Sequence, residues 1–376
     1  METQLIQHLK DLVSINSVNP DLSELGQGEK QIAEFVHNHF MQLNIDSKVH
    51  IIKGDRCNAT AFLSGENPEK ILLLNGHLDT VGIEKMQDPF LVKSDGDRLY
   101  GRGTYDMLAG CAIQMALATF FSKNSCPISL AFTFVADEEN MSLGMEHLVE
   151  NYLPSLPSKP FLGIFMEPTE EVIGISHKGY TWYELKIEGL AAHGSRPEQG
   201  INAIFPMEYA LAELSKINEE LLHAEPHPHL GHATLHPGMI SGGTAQSVIA
   251  AEATIKWERR TLPGETNKKL DEELQRVVSA VLKAPGNHKV TGHQIYSRPP
   301  NEAKNDPMIE LLRESSGNKD YNGMSYWADS ALAAKAGIPS ILFGPAGHGA
   351  HAIDEWVSKE SLLNCYEALK KFILEL

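Results

Sequence analysis

The sequence predicts an α/β domain with a mostly parallel sheet, interrupted by a smaller α+β domain. Two observations carry this. Up to about Gly179, short runs rich in β-branched and aromatic residues alternate with helix-like segments, the pattern of strands buried on both faces. Beyond it, apolar and polar residues alternate singly, the pattern of half-exposed antiparallel strands. The first style returns near Gln294, which makes the second domain an insertion and sets expected boundaries of 1–179, 180–293 and 294–376.

Each element has its own justification. Leu5, Ile6, Leu9 and Leu12 recur at helical spacing, so the N-terminus is expected to be a surface helix and not a signal peptide. Ile71 to Leu74, Ile128 to Val135 and Phe161 to Met166 are strands, with a helix over Met107 to Phe121. In the insertion, Tyr183, Leu185 and Ile187 mark one strand, and Ala251, Ala253, Ile255 and Trp257 another. Amphipathic helices are marked by Ile204, Met207, Leu211, Leu214 and Ile217, then by Leu270, Leu274, Val277 and Val281. Ile338 to Phe343 forms a last strand and Leu362 to Leu376 a closing helix.

Composition narrows the function. The 376 residues carry 32 Lys and Arg against 49 Asp and Glu, a formal charge of -17, which argues against nucleic acid or an anionic membrane as partner. No apolar run approaches the roughly 20 residues of a spanning helix. Cys57, Cys111, Cys126 and Cys365 are scattered without a CxxC pair, so reduced thiols and a cytoplasmic protein are expected.

The chemistry collects where strands end. Ile71 to Leu74 runs into GHLDTV, with His77 and Asp79; Ile128 to Val135 runs into ADEEN, with Glu138 and Glu139. Phe161 to Met166 runs into Glu167, and Ile338 to Phe343 into GPAGHGAHAIDE, with His351, Asp354 and Glu355. Asp106 closes GRGTYD before a helix. Open α/β sheets bind ligands beyond the carboxyl ends of their strands. A single acid there is usually a helix cap, and a single His is usually packed or solvated. Five such places together, with two imidazoles and several carboxylates, suit zinc, cobalt or manganese better than magnesium or calcium.

The ordered strings GHLDTV, GRGTYDM, ADEE, MEPT, AHGSRPEQGINAI, SGGTAQSVIA, RTLPGE and AHAIDE span most of the chain. In them the sequence resembles the acetylornithine deacetylase and succinyl-diaminopimelate desuccinylase family of dinuclear zinc amidohydrolases, whose superfamily includes aminoacylases, carboxypeptidases and dipeptidases. The resemblance implies a zinc-peptidase-type catalytic domain and an inserted lid and dimerisation domain. It implies two divalent ions per chain, zinc first and cobalt or manganese as alternatives. His77, Asp106 and Glu167 would hold one ion, and Asp106, Glu139 and His351 the other, with Asp106 shared. Asp79 would accept the His77 ring N–H and so fix its tautomer. Glu138 would be the general base and acid for water activated between the ions. Glu138 and Glu139 must then sit on a turn, because neighbours on an extended strand point to opposite faces.

The same resemblance gives His193 the role of oxyanion stabiliser, supplied across a homodimer. Arg260 would hold the substrate α-carboxylate, with Arg259 as the alternative. Ser247 and Ala250 replace the family's usual Asn and Pro after the GGT, leaving Ser247 at the substrate-binding place. Leu108 stands where Lys is frequent, and Ala328, Asp329 and Ser330 where Thr-Asp-Ala is frequent. His223, His227, His229, His232 and His236 resemble a metal-binding run but are interleaved with Pro and Gly, which favours a solvated loop.

The expected activity is therefore hydrolysis of the amide bond of an N-acyl amino acid, a small-molecule substrate. The resemblance implies Glu at position 167 in deacylases and carboxypeptidases and Asp in aminopeptidases and dipeptidases, so Glu167 favours a deacylase over a dipeptidase. The alternatives are a dipeptidase or carboxypeptidase with the same centre, and a silent binding protein that keeps the fold.

Overall fold

A computed structural model describes residues 2–304 and 306–376. The chain divides into two compact units. One comprises the chain up to Ser176 together with Glu302–Gly323 and Ala328–Leu376; the other comprises His177–Asn301 and Met324–Trp327.

In the first unit the sheet runs Asp46–Lys53, Arg56–Leu63, Ile128–Val135, Asn67–His77, Leu162–Phe165, Ser340–Leu342, Ile173–His177. Its middle is parallel, from Ile128–Val135 through Ser340–Leu342. Antiparallel pairs lie outside: Arg56–Leu63 against Ile128–Val135, and Gly174 opposite Leu342. Every residue of Ile128–Val135 is buried, which is why its sequence is a continuous apolar run. The helix Leu108–Phe121 is buried nearly all round and correspondingly apolar on every face. Helices Glu2–Val13, Lys30–Gln42 and Lys359–Leu374 contribute Leu9, Val36 and Phe372 to the same core. Strand Asn67–His77 extends well past the predicted Ile71 to Leu74, and its last residue pairs with Val135. His77 and the turn after Val135 therefore leave the sheet side by side.

The second unit has a four-stranded antiparallel sheet in the order Thr234–Gly242, Glu252–Thr261, Gly179–Glu188, Lys289–Arg298. Helices Met207–His223 and Asn267–Val281 share its core, where Leu214, Ile217 and Val277 meet Leu185, Ile255 and Trp257. Strand Lys289–Arg298 runs across residue 294, the place where sequence alone put a return to the first style. Half exposed at the sheet edge and interrupted by Gly292, it carries little of the apolar alternation that marks its neighbour. Among the described residues, no helix is long and apolar enough to cross a membrane.

Candidate active site

Four segments bring titratable side chains to the carboxyl ends of the first unit's parallel strands. His77 ends strand Asn67–His77; Glu138 and Glu139 sit on a turn just after Ile128–Val135; Glu167 follows Leu162–Phe165; and His351 follows Ser340–Leu342. Asp106 comes from the loop before helix Leu108–Phe121.

Ligand atoms of His77, Asp106 and Glu167 lie within 4.8 Å of one another, as do those of Asp106, Glu139 and His351. The Asp106 carboxylate is common to both groups: Oδ1 is 3.2 Å from His77 Nε2, and Oδ2 is 3.4 Å from His351 Nε2. Glu139 Oε2 is 2.9 Å from His351 Nε2, and Glu167 Oε2 is 3.9 Å from His77 Nε2. His77 is buried, whereas the His351 side chain is 55% exposed, which leaves one side open to solutes.

The electrostatics are those of acids gathered out of water. Burial, with the Glu167 charge beside it, pushes Glu138 well above the ordinary carboxyl range. Burial raises Glu167 to about 8 and, with Asp106 adjacent, Glu139 to about 7. Burial would raise Asp106 too, but hydrogen bonds with His351 and His77 hold it below its usual value. Those with Asp106 and Glu139 raise His351 to about 10.

The donor set suits divalent cations: two imidazole nitrogens and three carboxylates, without a thiol. Glu139 Oε1 is buried with no hydrogen-bond partner among the described residues, an acceptor available to a cation. His77 Nδ1 is 2.9 Å from the backbone carbonyl of Asp79, which can only accept, so Nδ1 carries the hydrogen and Nε2 is left to ligate.

That bond corrects the role expected of Asp79. Its carboxylate lies 3.6 Å from His77 Nδ1 and instead accepts the backbone N–H groups of Glu138 at 3.1 Å and Glu139 at 3.2 Å. The Asp79 backbone orients the histidine, and its side chain holds the glutamate turn.

Two further buried residues support the site. Glu355 accepts from the backbone N–H of Tyr105 at 2.8 Å and of Asp106 at 3.0 Å through Oε1. Its Oε2 accepts from Arg102 at 2.7 Å and from the Gly103 N–H at 2.9 Å. Sequence singled out Glu355 only as a candidate ligand; it holds the loop that carries Asp106. Replacing it with Ala would leave Arg102 buried without its carboxylate and is expected to destabilise the chain by about 3–5 kcal/mol. Thermal melting checks this, and an unchanged melting temperature would deny the loop this anchor. Asp329, buried, adds its negative charge to Glu138 and Glu167. Its place in a weak motif gave no signal of that.

His193, Ser247 and Arg260 belong to the second unit. His193 is exposed, bridges to Val248, and has Nδ1 2.7 Å from Ser195 Oγ. Ser247 is next to Val248, and its carbonyl accepts the Gly194 N–H at 2.7 Å, so the two motifs meet. Arg259 is fully buried on Glu265 at 2.6 Å and Glu273 at 2.9 Å, an internal structural pair. Arg260 is part-exposed, 2.7 Å from Glu258, with its guanidinium 5.5 Å from the Tyr180 ring centre. In the histidine-rich stretch, His223 ends a helix and His236 lies on a strand, so these histidines are spread over more than one loop.

Strand-end imidazoles and carboxylates converging on one shared aspartate, with a further glutamate beside them, define a metal-dependent hydrolase. Residues 73–375 match the family model of peptidase family M20/M25/M40, and the chain belongs to that family. It is 26% identical over 376 residues to the acetylornithine deacetylase of Buchnera aphidicola subsp. Schizaphis graminum, covering 98% of this chain and 97% of that one. To the acetylornithine deacetylase of Vibrio atlanticus it is 28% identical over 375 residues, with 97% and 96% covered. A tripeptidase from Staphylococcus aureus has the same fold, with a TM-score of 0.79 at 20% identity over 99% of this chain and 98% of that one. So does a dinuclear metal-binding peptidase of Bacillus subtilis, with a TM-score of 0.75 at 14% identity over 100% and 98%.

Proposed function

We propose that this protein hydrolyses the amide bond of an N-acyl amino acid, using two divalent ions held by His77, Asp106 and Glu167 and by Asp106, Glu139 and His351. The single observation that carries this is the Asp106 carboxylate facing both histidines, with Glu138 beside the same cluster. Two such ions, when bound, make water acidic and polarise an amide carbonyl. Glu138 takes the proton from the attacking water and passes it to the leaving amine. Asp79 keeps Glu138 and Glu139 in register through their backbone N–H groups. His193 stabilises the oxyanion and Arg260 holds the α-carboxylate, with Ser247 beside the substrate; the exposure of His193 and the partial exposure of Arg260 support these roles.

Zinc is the ion we assign first, on the mixed nitrogen and oxygen donor set, with cobalt or manganese as substitutes. Four free, buried cysteines support a reducing, cytoplasmic setting. Exposed Phe205, Met239 and Ile240 on the second unit support a homodimer formed through it. The full-length likeness to acetylornithine deacetylases favours an acyl amino acid over a peptide.

The test is a turnover screen of N-acetyl, N-succinyl and N-formyl amino acids alongside dipeptides, with zinc-loaded protein. Release of free amino acid from an acyl substrate is the expected result. Turnover of dipeptides alone would make the protein a peptidase, and no turnover a binding protein.

A further inference from the structure

Arg56 begins strand Arg56–Leu63 and is 5% exposed. Its guanidinium donates to Asp137 Oδ1 at 2.6 Å, Glu29 Oε2 at 2.9 Å, Asp21 Oδ2 at 2.8 Å and Asn19 Oδ1 at 3.1 Å. Glu29, Asp137 and Asn19 are fully buried. None of these four is a ligand or the proposed base.

Asn19 passes the constraint on. Its Oδ1 accepts from Arg56 and from the Asp21 N–H at 3.0 Å, so the amide is fixed with Nδ2 facing two acids. Nδ2 donates to Asp79 Oδ2 at 2.9 Å and to Asp137 Oδ1 at 3.0 Å. Asp79 is the acceptor for the N–H groups of Glu138 and Glu139. Asp137, immediately before them, has φ of 69°, a left-handed conformation that an aspartate holds when its carboxylate is fixed by local hydrogen bonds. Such a backbone persists only where its surroundings over-determine it. Here Arg56 and Asn19 bind one oxygen of the Asp137 carboxylate, and the Leu143 N–H donates to the other at 3.3 Å.

We infer that Arg56 is a positioning residue for the active site: through Asn19, Asp137 and Asp79 it fixes the turn that aims Glu138 and Glu139. This rests on the assignment of Glu138 as base and Glu139 as ligand. A lysine cannot replace it, because a single ammonium lacks the planar fork that reaches four acceptors at once.

The experiment compares Arg56→Ala and Arg56→Lys with the parent chain, full length and loaded with zinc. With both variants folded by circular dichroism, kcat falls about 10–100-fold in Arg56→Ala, as for other residues that orient ligands from behind. KM stays within about threefold, since the loss is in the chemical step. Arg56 lines a surface cavity of about 800 Å³ with Asp21, Lys30 and Leu143, so small solutes can reach its place. Millimolar guanidinium is therefore expected to restore about tenfold of the kcat lost in Arg56→Ala and to leave the parent unchanged. General loosening of the fold would show no such recovery. A second readout needs no turnover: in competition with a chromophoric chelator, one of two zinc equivalents binds about 10–100-fold more weakly in Arg56→Ala.

Unchanged kcat in folded Arg56→Ala, or a fall that guanidinium does not reverse, overturns the inference. If Arg56→Ala does not fold, Arg56→Lys decides, and kcat and zinc affinity both within about threefold of the parent overturn it. A parent chain that binds two zinc ions yet hydrolyses no acyl amino acid or peptide would undo the functional proposal instead. The zinc competition would still judge Arg56.

Discussion

Glu138→Gln is expected to lower amide hydrolysis by about 10²–10⁴-fold while two ions remain bound, because the amide is nearly the same shape but cannot accept and return a proton. Glu139→Gln is expected to do something different. It removes the charge of the carboxylate that meets His351 at 2.9 Å, and the group formed with Asp106 and His351 should lose its ion. The two glutamates are neighbours on one turn and share Asp79 as backbone anchor, so the contrast tests side-chain chemistry and not local folding. Elemental analysis of both variants beside an amide-hydrolysis assay checks it. If Glu138→Gln lost metal and Glu139→Gln kept it, the two roles would have to be exchanged.

Removal of the ions by a chelator is expected to abolish turnover, and zinc or cobalt to restore it, since only such ions make water acidic enough near neutral pH. The metal-free chain also fixes the sign of a pH effect. His351, raised to about 10 by its hydrogen bonds to Asp106 and Glu139, holds its proton across neutral pH. Ion uptake must displace that proton, so binding releases protons and apparent affinity weakens as pH falls below 10. Through its hydrogen bond with Asp106, which stays ionised, protonated His351 stabilises the metal-free fold, an effect fully present below about pH 6.5 and lost as pH rises through 10. Titration calorimetry in buffers of different ionisation enthalpy measures the released protons. Full turnover in chelator-treated protein would remove metal chemistry from the proposal altogether.

The proposed ligands are legible because strands and chemistry are written next to each other: an apolar run marks the strand, and His77, Glu139 and Glu167 follow it within a few positions. Pairing Asp106 with both histidines came from the family resemblance and not from spacing. The sequence does not show which atom of Asp79 meets His77, because Asp79 lies beyond the last residue of its strand, where the pleat no longer says which way a side chain faces. Arg56, Asn19 and Glu29 gave no signal at all. They lie at separate places in the chain, and only the packed sheet and helix Lys30–Gln42 bring them to Asp137. The edge strand Lys289–Arg298 was missed for the opposite reason, since an edge open to solvent places weak demands on its sequence.

Strand Ser340–Leu342 lies between Leu162–Phe165 and Ile173–His177, although it is far from both in sequence. His351 and Glu355 follow it, so the histidine of the second proposed ligand group and the anchor of the Asp106 loop both arrive with the last tenth of the chain. During synthesis, at about 5–20 residues per second, the whole of His177–Asn301 leaves the ribosome while the sheet still has a gap. A nascent chain at that stage has His77, Asp106, Glu139 and Glu167 but no means of closing the second group. Maturation is thus ordered in time: the main segment of the second unit, His177–Asn301, emerges first, and the hydrolytic centre is finished only with the C-terminal segment, which follows Met324–Trp327, the last piece of that unit.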